Sequence, residues 1–173
     1  MTTYLDIETT SKKADEGMIV AMGVLKGDTP QVRFAKTPEG ERAVLEWLTQ
    51  ELGDCDLLVT WYGSGFDIPF ILARAVLLGV DMERIFTVPS LDLYVWCKRH
   101  LLLSSYKLES VAKFLGMSRR VDFQGGDVST LFKLTIQGDE NAKNLIIEHC
   151  KEDLELLRYV HERMKSCGSS ELG

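Results

Sequence analysis

Apolar and polar residues alternate over the amino-terminal part of the chain, and this pattern predicts three β-strands. The strands are expected at residues 2–8, 18–25 and 31–35, with a turn at 26–30 between the last two. Together they predict a three-stranded antiparallel meander.

Helical periodicity then alternates with short extended segments. Helices are predicted at 38–52, 67–78, 93–102, 108–115, 127–136 and 141–164, and further extended segments at 56–61 and 88–93. Within the first helix, Glu39, Glu41 and Arg42 are expected on the solvated side. This order of elements predicts an α/β fold: a mixed sheet, formed by the meander and parallel strands, flanked by helices.

Composition is that of a soluble globular protein. The 173 residues are 45% hydrophobic and 27% charged, near the averages for this class. We expect one domain over residues 1–165 and a small polar tail at 166–173 that frays. Because the apolar stretches are too short to span a bilayer and no secretory signal is recognisable, we expect a cytoplasmic location.

Cysteine spacing and net charge narrow the range of partners. The 4 cysteines include no CxxC pair, which argues against a zinc site and a disulfide framework. A formal net charge of -6 counts against a nucleic-acid partner, because phosphate binding normally depends on Lys and Arg. This objection fails if several acids hold divalent cations, since the site is then positive where the phosphate arrives.

Acidic residues early in the chain are the first candidates for a functional site. Side chains alternate along a strand, so Asp6 and Glu8 point to one face, about 7 Å apart, while Leu5 and Ile7 point to the other. Such a pair alone is also typical of the solvated face of an edge strand. Asp67 is equally ambiguous, because capping and the helix dipole also explain an acid in the first turn of a helix.

The last predicted helix carries the deciding signal. On a helical wheel, Asp153 lies within the apolar stripe, whereas its neighbour Glu152 points away. The stripe consists of Ile146, Cys150, Leu157, Val160 and Met164. An ionised carboxylate that faces a core costs several kcal/mol unless it is paired, hydrogen-bonded or bound to metal. His149 lies one turn earlier and reaches the same site. The structural alternatives are a buried His–Asp hydrogen bond or a salt bridge to Arg74 or Lys107.

Four carboxylates that share a small volume need cations to neutralise them. All-oxygen ligands favour Mg2+ or Mn2+ over zinc. Two such ions stabilise the attacking and leaving oxygens of an in-line phosphoryl displacement. Asp6, Glu8, Asp67 and Asp153 are therefore predicted to be metal ligands and catalytic residues, and His149 is predicted to orient or deprotonate the water.

Stretches of the chain resemble the motifs of one known family. They are LDIETT at 5–10, WYGSGFDIPF at 61–70, SLDL at 90–93 and HCKED at 149–153. In this order they resemble the DEDD superfamily of 3'-5' exonucleases, which have a ribonuclease H-like fold, over nearly the whole chain. The resemblance is closest to the branch that includes the proofreading domains of family B DNA polymerases and stand-alone ribonuclease H-like nucleases. It implies that the same four acids hold the metal ions.

Departures from the family pattern occur at two positions. His149 stands four residues before the last Asp, where this branch usually carries Tyr, and Tyr62 stands where the family commonly has Asn. Contacts with substrate are expected from Thr9, Tyr62, Phe66 and Lys107. Tyr62 and Phe66 are candidates for stacking on bases, although Phe66 is also typical of a core residue.

Other charged residues have weaker claims to function. Asp92 is expected to cap a helix. Lys12, Lys13, Arg119 and Arg120 are expected to be surface charges that are able to reach phosphates.

The function expected from these patterns is hydrolysis of nucleic acid from a single-stranded 3' end with two Mg2+ or Mn2+ ions. One alternative is a nucleic-acid-binding module of the same fold that has lost turnover, prompted by His149 and Tyr62. Another is a hydrolase of very short oligonucleotides, prompted by the acidic surface and the lack of a long basic track.

Overall fold

A computed structural model of the protein describes residues 1–120 and 128–168. The strands are β1 Thr2–Thr9, β2 Ile19–Lys26, β3 Thr29–Phe34, β4 Leu57–Thr60 and β5 Ser90–Asp92. The helices are α1 Pro38–Glu51, α2 Asp67–Leu78, α3 Glu83–Thr87, α4 Leu93–His100, α5 Leu108–Phe114, α6 Val128–Ile136 and α7 Glu140–Lys165. Every predicted strand and helix is present within a few residues, whereas the short helix α3 was not predicted.

The predicted carboxy-terminal tail and one predicted helix start are only partly described. Residues 166–168 form a turn after α7. Asp127, the predicted start of a helix, and residues 169–173 lie outside the described residues. The division into one domain and a tail stays a prediction.

The five strands form one mixed sheet in the order β3-β2-β1-β4-β5. β2 pairs antiparallel with β1 and with β3, whereas β4 pairs parallel with β1 and with β5. The predicted meander and mixed sheet are confirmed. Only Gly27 and Asp28 separate the paired ends of β2 and β3, so the turn is shorter than predicted, and Gly27 has the positive φ of +67° that glycine tolerates. Pro30 lies in the edge strand β3, where proline is tolerated.

Helices cover both faces of the sheet, and alternation along β1 assigns each side chain to one face. Leu5 and Ile7 pack with residues of α1 and α2, whereas Tyr4 packs with residues of α4, α5 and α7. Asp6 and Glu8 share the face of Tyr4 because they follow it at two-residue intervals. These acids therefore point toward the side of the sheet that α7 covers.

The close approach between α7 and β2 depends on Gly23. A Cβ atom at this position would lie 2.6 Å from Sγ of Cys150 and 2.6 Å from Cδ1 of Leu154, which is closer than nonbonded atoms come. Gly23 is also the register partner of Asp6 on β1. The missing side chain thus lets α7 lie against the sheet beside Asp6.

The prediction that Glu41 is solvated is wrong. Glu41 is fully buried and accepts hydrogen bonds from Nε of Arg74 at 2.8 Å and from Nη2 at 2.7 Å. Oε1 of Glu41 also accepts the backbone N–H of Ile19 at 2.8 Å, and Nη1 of Arg74 donates to the carbonyl of Ala14 at 3.0 Å. This ion pair joins α1, α2 and the loop between β1 and β2, and that loop covers the side of α1 that the pattern left to solvent.

The described part of the chain contains no candidate membrane-spanning helix. No helix there is both long and apolar enough to cross a bilayer. The cytoplasmic location stays a prediction.

Candidate active site

Acidic residues gather at one edge of the sheet because three neighbouring strands run parallel. The carboxyl ends of β1, β4 and β5 lie at the same edge. Asp6 and Glu8 lie near the end of β1, and Asp92 ends β5. Residues 61–66 lead from β4 to Asp67, the first residue of α2. Glu8 and Asp67 are 8% and 6% exposed, so their carboxylates lie within the protein rather than on a solvated face.

Helix α7 brings His149 and Asp153 to the same edge. Nδ1 of His149 lies 2.6 Å from Oε1 of Glu8 and 3.4 Å from Oδ2 of Asp153. One possible ligand atom from each of these three residues lies within 4.8 Å of the other two. The structure thus places two predicted metal ligands and the predicted water-orienting histidine together.

Asp6 adds a carboxylate oxygen that lacks a partner. Oδ2 of Asp6 is buried and has no hydrogen-bond partner among the described residues. Burial raises the pKa of Asp6 well above its usual 3.8, and the negative charges of Asp153, Glu8 and Asp67 raise it further. Asp6 therefore lies within electrostatic reach of the other three acids. A buried oxygen without a partner is a position that a cation would satisfy.

Asp67 and Asp153 also hold a proton more tightly than exposed acids do. Burial raises the pKa of Asp67 to about 7, although hydrogen bonds with the backbone of Asp67 and Ile7 act to lower it. Burial raises the pKa of Asp153 to about 6, although the charges of His149 and Arg119 act to lower it. These directions are expected of carboxylates crowded at a buried site without cations.

His149 is an internal counter-charge to the acids. Burial lowers the pKa of His149, but the hydrogen bond with Glu8 and the charges of Glu8 and Asp153 outweigh burial and raise the pKa above its usual 6.5. The raised pKa favours a protonated ring that donates from Nδ1 to Glu8.

Arg119 is a second internal cation, and it was predicted only as a surface charge. Nη2 of Arg119 forms an ion pair with Oδ1 of Asp153, and both side chains are 14% exposed. Nε of Arg119 also lies 3.4 Å from Oε2 of Glu109. Asp153 therefore pairs with Arg119 and not with Arg74 or Lys107, two of the alternatives that the sequence suggested. The third alternative, a contact with His149, is present at 3.4 Å. Arg119 lies in a loop, so no helical periodicity indicates where its side chain points.

The prediction that Glu152 points away from the protein is also wrong. Glu152 is buried, and its Oε1 accepts the backbone N–H of Arg120 at 3.1 Å. Oε2 of Glu152 lies 3.8 Å from Nη1 of Arg119. The loop at 115–120 packs over this side of α7, and the helical wheel cannot register cover from a distant loop.

The donor set suits hard divalent cations. Asp6, Glu8, Asp67 and Asp153 offer carboxylate oxygens, the ligands that Mg2+ and Mn2+ prefer. The unpartnered oxygen of Asp6 and the mutual effect of the acids on their pKa values indicate an excess of negative charge at the cluster. These side chains therefore fit a divalent-metal site.

Comparison with known proteins adds a family to this geometry. The family model described as RNase_H superfamily matches residues 3–165. The chain belongs to this superfamily. An uncharacterized protein of Methanocaldococcus jannaschii is 29% identical to this chain over 174 residues, which span 95% of each protein.

The solved structure of another protein has the same fold as this RNase_H superfamily member. The family B DNA polymerase from the hyperthermophilic archaeon Pyrobaculum calidifontis matches with a TM-score of 0.81 at 21% identity. The match covers 94% of this chain and 24% of the polymerase, so the chain spans about a quarter of that protein's length. The predicted ribonuclease H-like fold is confirmed. Membership in the superfamily supports a nuclease-type function.

The loop between β4 and α2 of this RNase H-like chain is held by Asp92. Oδ1 of Asp92 accepts the backbone N–H of Tyr62 at 2.9 Å, and Oδ2 accepts N–H and Oγ of Ser64 at 3.0 and 2.5 Å. Oδ1 also accepts the N–H of Tyr94 at 3.1 Å, so the predicted capping role of Asp92 is confirmed. Tyr62 has a φ of +59°, a left-handed conformation that Asn adopts more readily than Tyr.

The other predicted substrate residues lie in three different settings. Phe66 is partly buried against the core and contacts Phe70 with ring centroids 5.6 Å apart. Oγ1 of Thr9 donates to the carbonyl of Ser11 at 2.7 Å. Lys107 is exposed immediately before α5. Contacts of Thr9, Phe66 and Lys107 with substrate stay predictions.

Proposed function

We propose that this protein is a divalent-metal-dependent 3'-5' exonuclease that hydrolyses phosphodiester bonds of DNA or RNA. The observation that supports this most directly is the close grouping of Glu8, His149 and Asp153 at one sheet edge, with Asp6 and Asp67 within electrostatic reach. Membership in the RNase_H superfamily and the polymerase-like fold support nuclease chemistry. The motif pattern supports the exonuclease branch.

The four acids are the proposed ligands of two Mg2+ or Mn2+ ions. When bound, these ions stabilise the attacking and leaving oxygens of an in-line displacement. The strand β1 and the first turn of α2 hold three of the acids on rigid elements, and α7 supplies Asp153. The position of the ligands is therefore set by the fold rather than by mobile loops.

His149 is proposed to orient the attacking water rather than to remove its proton. The hydrogen bond with Glu8 raises the pKa of His149, so the ring is a better donor than acceptor in the metal-free protein. Oε1 of Glu8 and Oδ2 of Asp153 both lie near Nδ1, at 2.6 and 3.4 Å, and these two acids fix the orientation of the ring beside the proposed metal ligands.

Single strands with a free 3' end are the proposed substrate. Tyr62 is 48% exposed, and Asp92, which holds its backbone, is close enough to Asp67 to raise the pKa of that acid. An exposed aromatic ring beside the acids supports contact with a base. Thr9, Phe66 and Lys107 are further proposed contacts.

The test uses single strands of DNA and RNA, labelled at either end, with Mn2+, Mg2+ or EDTA. We expect a descending ladder from the 5' label, immediate release of labelled mononucleotide from the 3' label, and no product in EDTA. Asp6→Asn and Asp153→Asn are expected to abolish product, whereas Asp15→Asn, at an exposed acid, is expected to retain it. Undiminished degradation by a folded Asp153→Asn variant refutes the proposal. Faster hydrolysis of dinucleotides than of long strands identifies short oligonucleotides as the substrate instead.

A second candidate function is nucleic-acid binding without turnover. It is favoured by His149 and Arg119, which already engage oxygens of Glu8 and Asp153. If these internal cations stay in place, metal ions cannot occupy the same oxygens. Gel shifts that persist without Mg2+, with no product from any polymer, would favour this candidate.

A further inference from the structure

An aromatic cluster adjoins the acids at the carboxyl end of β4. Tyr94 lies at its centre, with ring centroids 6.1 Å from Trp61, 4.8 Å from Tyr62 and 6.4 Å from Tyr106. Each pair meets edge to face. We call these four rings, together with Lys98, the aromatic platform.

The inner rings of the aromatic platform are anchored by hydrogen bonds. Nε1 of Trp61 donates to the carbonyl of Tyr106 at 3.2 Å. The hydroxyl of Tyr106 donates to the carbonyl of Leu101 at 2.7 Å and accepts the N–H of Leu103 at 3.2 Å. Three of the rings are partly buried, so they form a fixed base rather than mobile surface side chains.

Tyr62 is the exposed ring of the platform, and its backbone is strained. A non-glycine residue at a φ of +59° is strained, and such a conformation persists only where its surroundings hold it. Asp92 holds its N–H, and Gly65 leaves room for its ring, since a Cβ at Gly65 would lie 2.4 Å from Cζ of Tyr62. Core packing does not explain a strained residue that stays 48% exposed. Such strain is characteristic of ligand-binding positions.

Lys98 gives the platform a positive charge. Its Nζ lies 5.6 Å from the ring centroid of Tyr94 and 6.0 Å from that of Tyr106. Arg99 follows it and is also exposed. The helix dipole accounts for basic residues in the last turn of α4, but not for an ammonium placed over two rings. Aromatic rings combined with cations suit a ligand that carries both flat bases and phosphates.

We infer that the aromatic platform binds single-stranded nucleic acid next to the nucleotide held at the acids. Tyr62 stacks on a base, and Lys98 contacts the phosphate backbone. This inference rests on the proposed function, because it places the strand whose 3' end enters the acid cluster. It extends that function by naming a second subsite, formed by Tyr94, Tyr106 and Lys98 in addition to Tyr62.

The experiment measures binding rather than turnover. All proteins carry Asp153→Asn to prevent hydrolysis, and fluorescence anisotropy with Mg2+ follows 5'-labelled DNA and RNA single strands of about twelve nucleotides. Tyr62→Ala is expected to weaken binding by roughly tenfold or more, since stacking of one base contributes about that much. Lys98→Gln is expected to weaken binding and to lower its salt dependence, because it removes a phosphate contact. Phe86→Ala and Lys165→Gln, at an exposed aromatic and an exposed lysine on α3 and α7, are the matched controls and should bind like the parent.

Further variants separate stacking from loss of fold. Tyr62→Phe keeps the ring and is expected to bind within about twofold of the parent. Gly65→Ala leaves Tyr62 in the chain but pushes its ring aside, and should weaken binding in the same direction as Tyr62→Ala. Thermal unfolding confirms that each variant is folded.

The outcomes distinguish this inference from the proposed function. If Tyr62→Ala and the parent bind with equal affinity, and the protein without Asp153→Asn degrades strands, the aromatic platform is overturned and the proposed exonuclease stands. If binding depends on Tyr62 and Lys98, but the protein without Asp153→Asn yields no product, the platform is supported and the proposed exonuclease is refuted. Failure of the parent to bind either polymer overturns the inference, as does equal loss from the two matched controls.

Discussion

Ionised Asp67 is expected to destabilise the metal-free protein, and Asp67→Asn is expected to remove that cost. Burial raises the pKa of Asp67 from 3.8 to about 7. A difference of one in pKa corresponds to about 1.4 kcal/mol, so the ionised side chain costs the metal-free fold about 4 kcal/mol at pH 8. This is a large share of the roughly 5 to 15 kcal/mol by which native proteins are stable. Asparagine keeps a carbonyl oxygen that can accept the backbone hydrogen bonds.

The cost depends on pH in a definite direction. Asp67 loses its proton near pH 4 in the unfolded chain and near pH 7 in the folded protein, so between these values the folded state binds more protons. The free energy of unfolding therefore falls as pH rises through this window. The benefit of Asp67→Asn is expected to be about 2 kcal/mol at pH 5 and about 4 kcal/mol at pH 8. Because the pKa of His149 is raised, its contribution to the free energy of unfolding also falls as pH rises. This contribution is the same in the parent and in Asp67→Asn, so it cancels in the difference between them.

Urea unfolding followed by tryptophan fluorescence, in EDTA at both pH values, measures this difference. Asp15→Asn is the matched control, and a substitution at that exposed position is expected to change stability by less than about 0.5 kcal/mol. Mn2+ at pH 8 should stabilise the parent more than Asp67→Asn, because the variant lacks one ligand. A benefit that is equal at pH 5 and pH 8, or a loss of stability at pH 8, refutes the reasoning.

Other predictions follow from contacts around the site. Gly23→Ala places a Cβ against α7 and is expected to lower the free energy of unfolding by about 1 to 3 kcal/mol in urea, and to lower turnover because Asp153 moves with the helix. Glu41→Gln leaves the buried charge of Arg74 without its partner and is expected to cost about 3 to 5 kcal/mol by the same measurement; a loss below about 1 kcal/mol contradicts this. Arg119→Gln removes a positive charge from Asp153, so calorimetric titration should show tighter Mn2+ binding; weaker binding would indicate that Arg119 supports the metal site.

The parts of the site that the sequence predicts are those that local geometry determines. Alternation along β1 is a property of any strand, so it places Asp6 and Glu8 on one face without knowledge of the rest of the fold. The same holds for Asp153 on the α7 wheel, where an acid within an apolar stripe indicates burial. The mixed sheet can also be predicted from the sequence, because a meander followed by a helical crossover has few arrangements.

The parts that the sequence does not predict depend on what covers each element. Glu41 occupies a position on α1 that periodicity assigns to solvent, yet Arg74 from another helix buries it. Glu152 is covered in the same way by the loop that carries Arg119. An irregular loop has no period from which the direction of a side chain follows, so the partner of Asp153 had no signal in the sequence.

Buried charges in this protein fall into two kinds, and the difference locates the function. Glu41 is buried, but its carboxylate accepts two hydrogen bonds from Arg74 and one from a backbone N–H. The fold itself therefore compensates the burial of this charge. Oδ2 of Asp6 is buried and no described residue satisfies it, and the neighbouring acids raise the pKa of Asp6 rather than lower it. The strained backbone of Tyr62 adjoins the same sheet edge. Asp6 and Tyr62 thus break local rules at one sheet edge, where an external ligand can supply the compensation, so we assign metal ions and nucleic acid to this edge and only stability to the buried ion pair of Glu41.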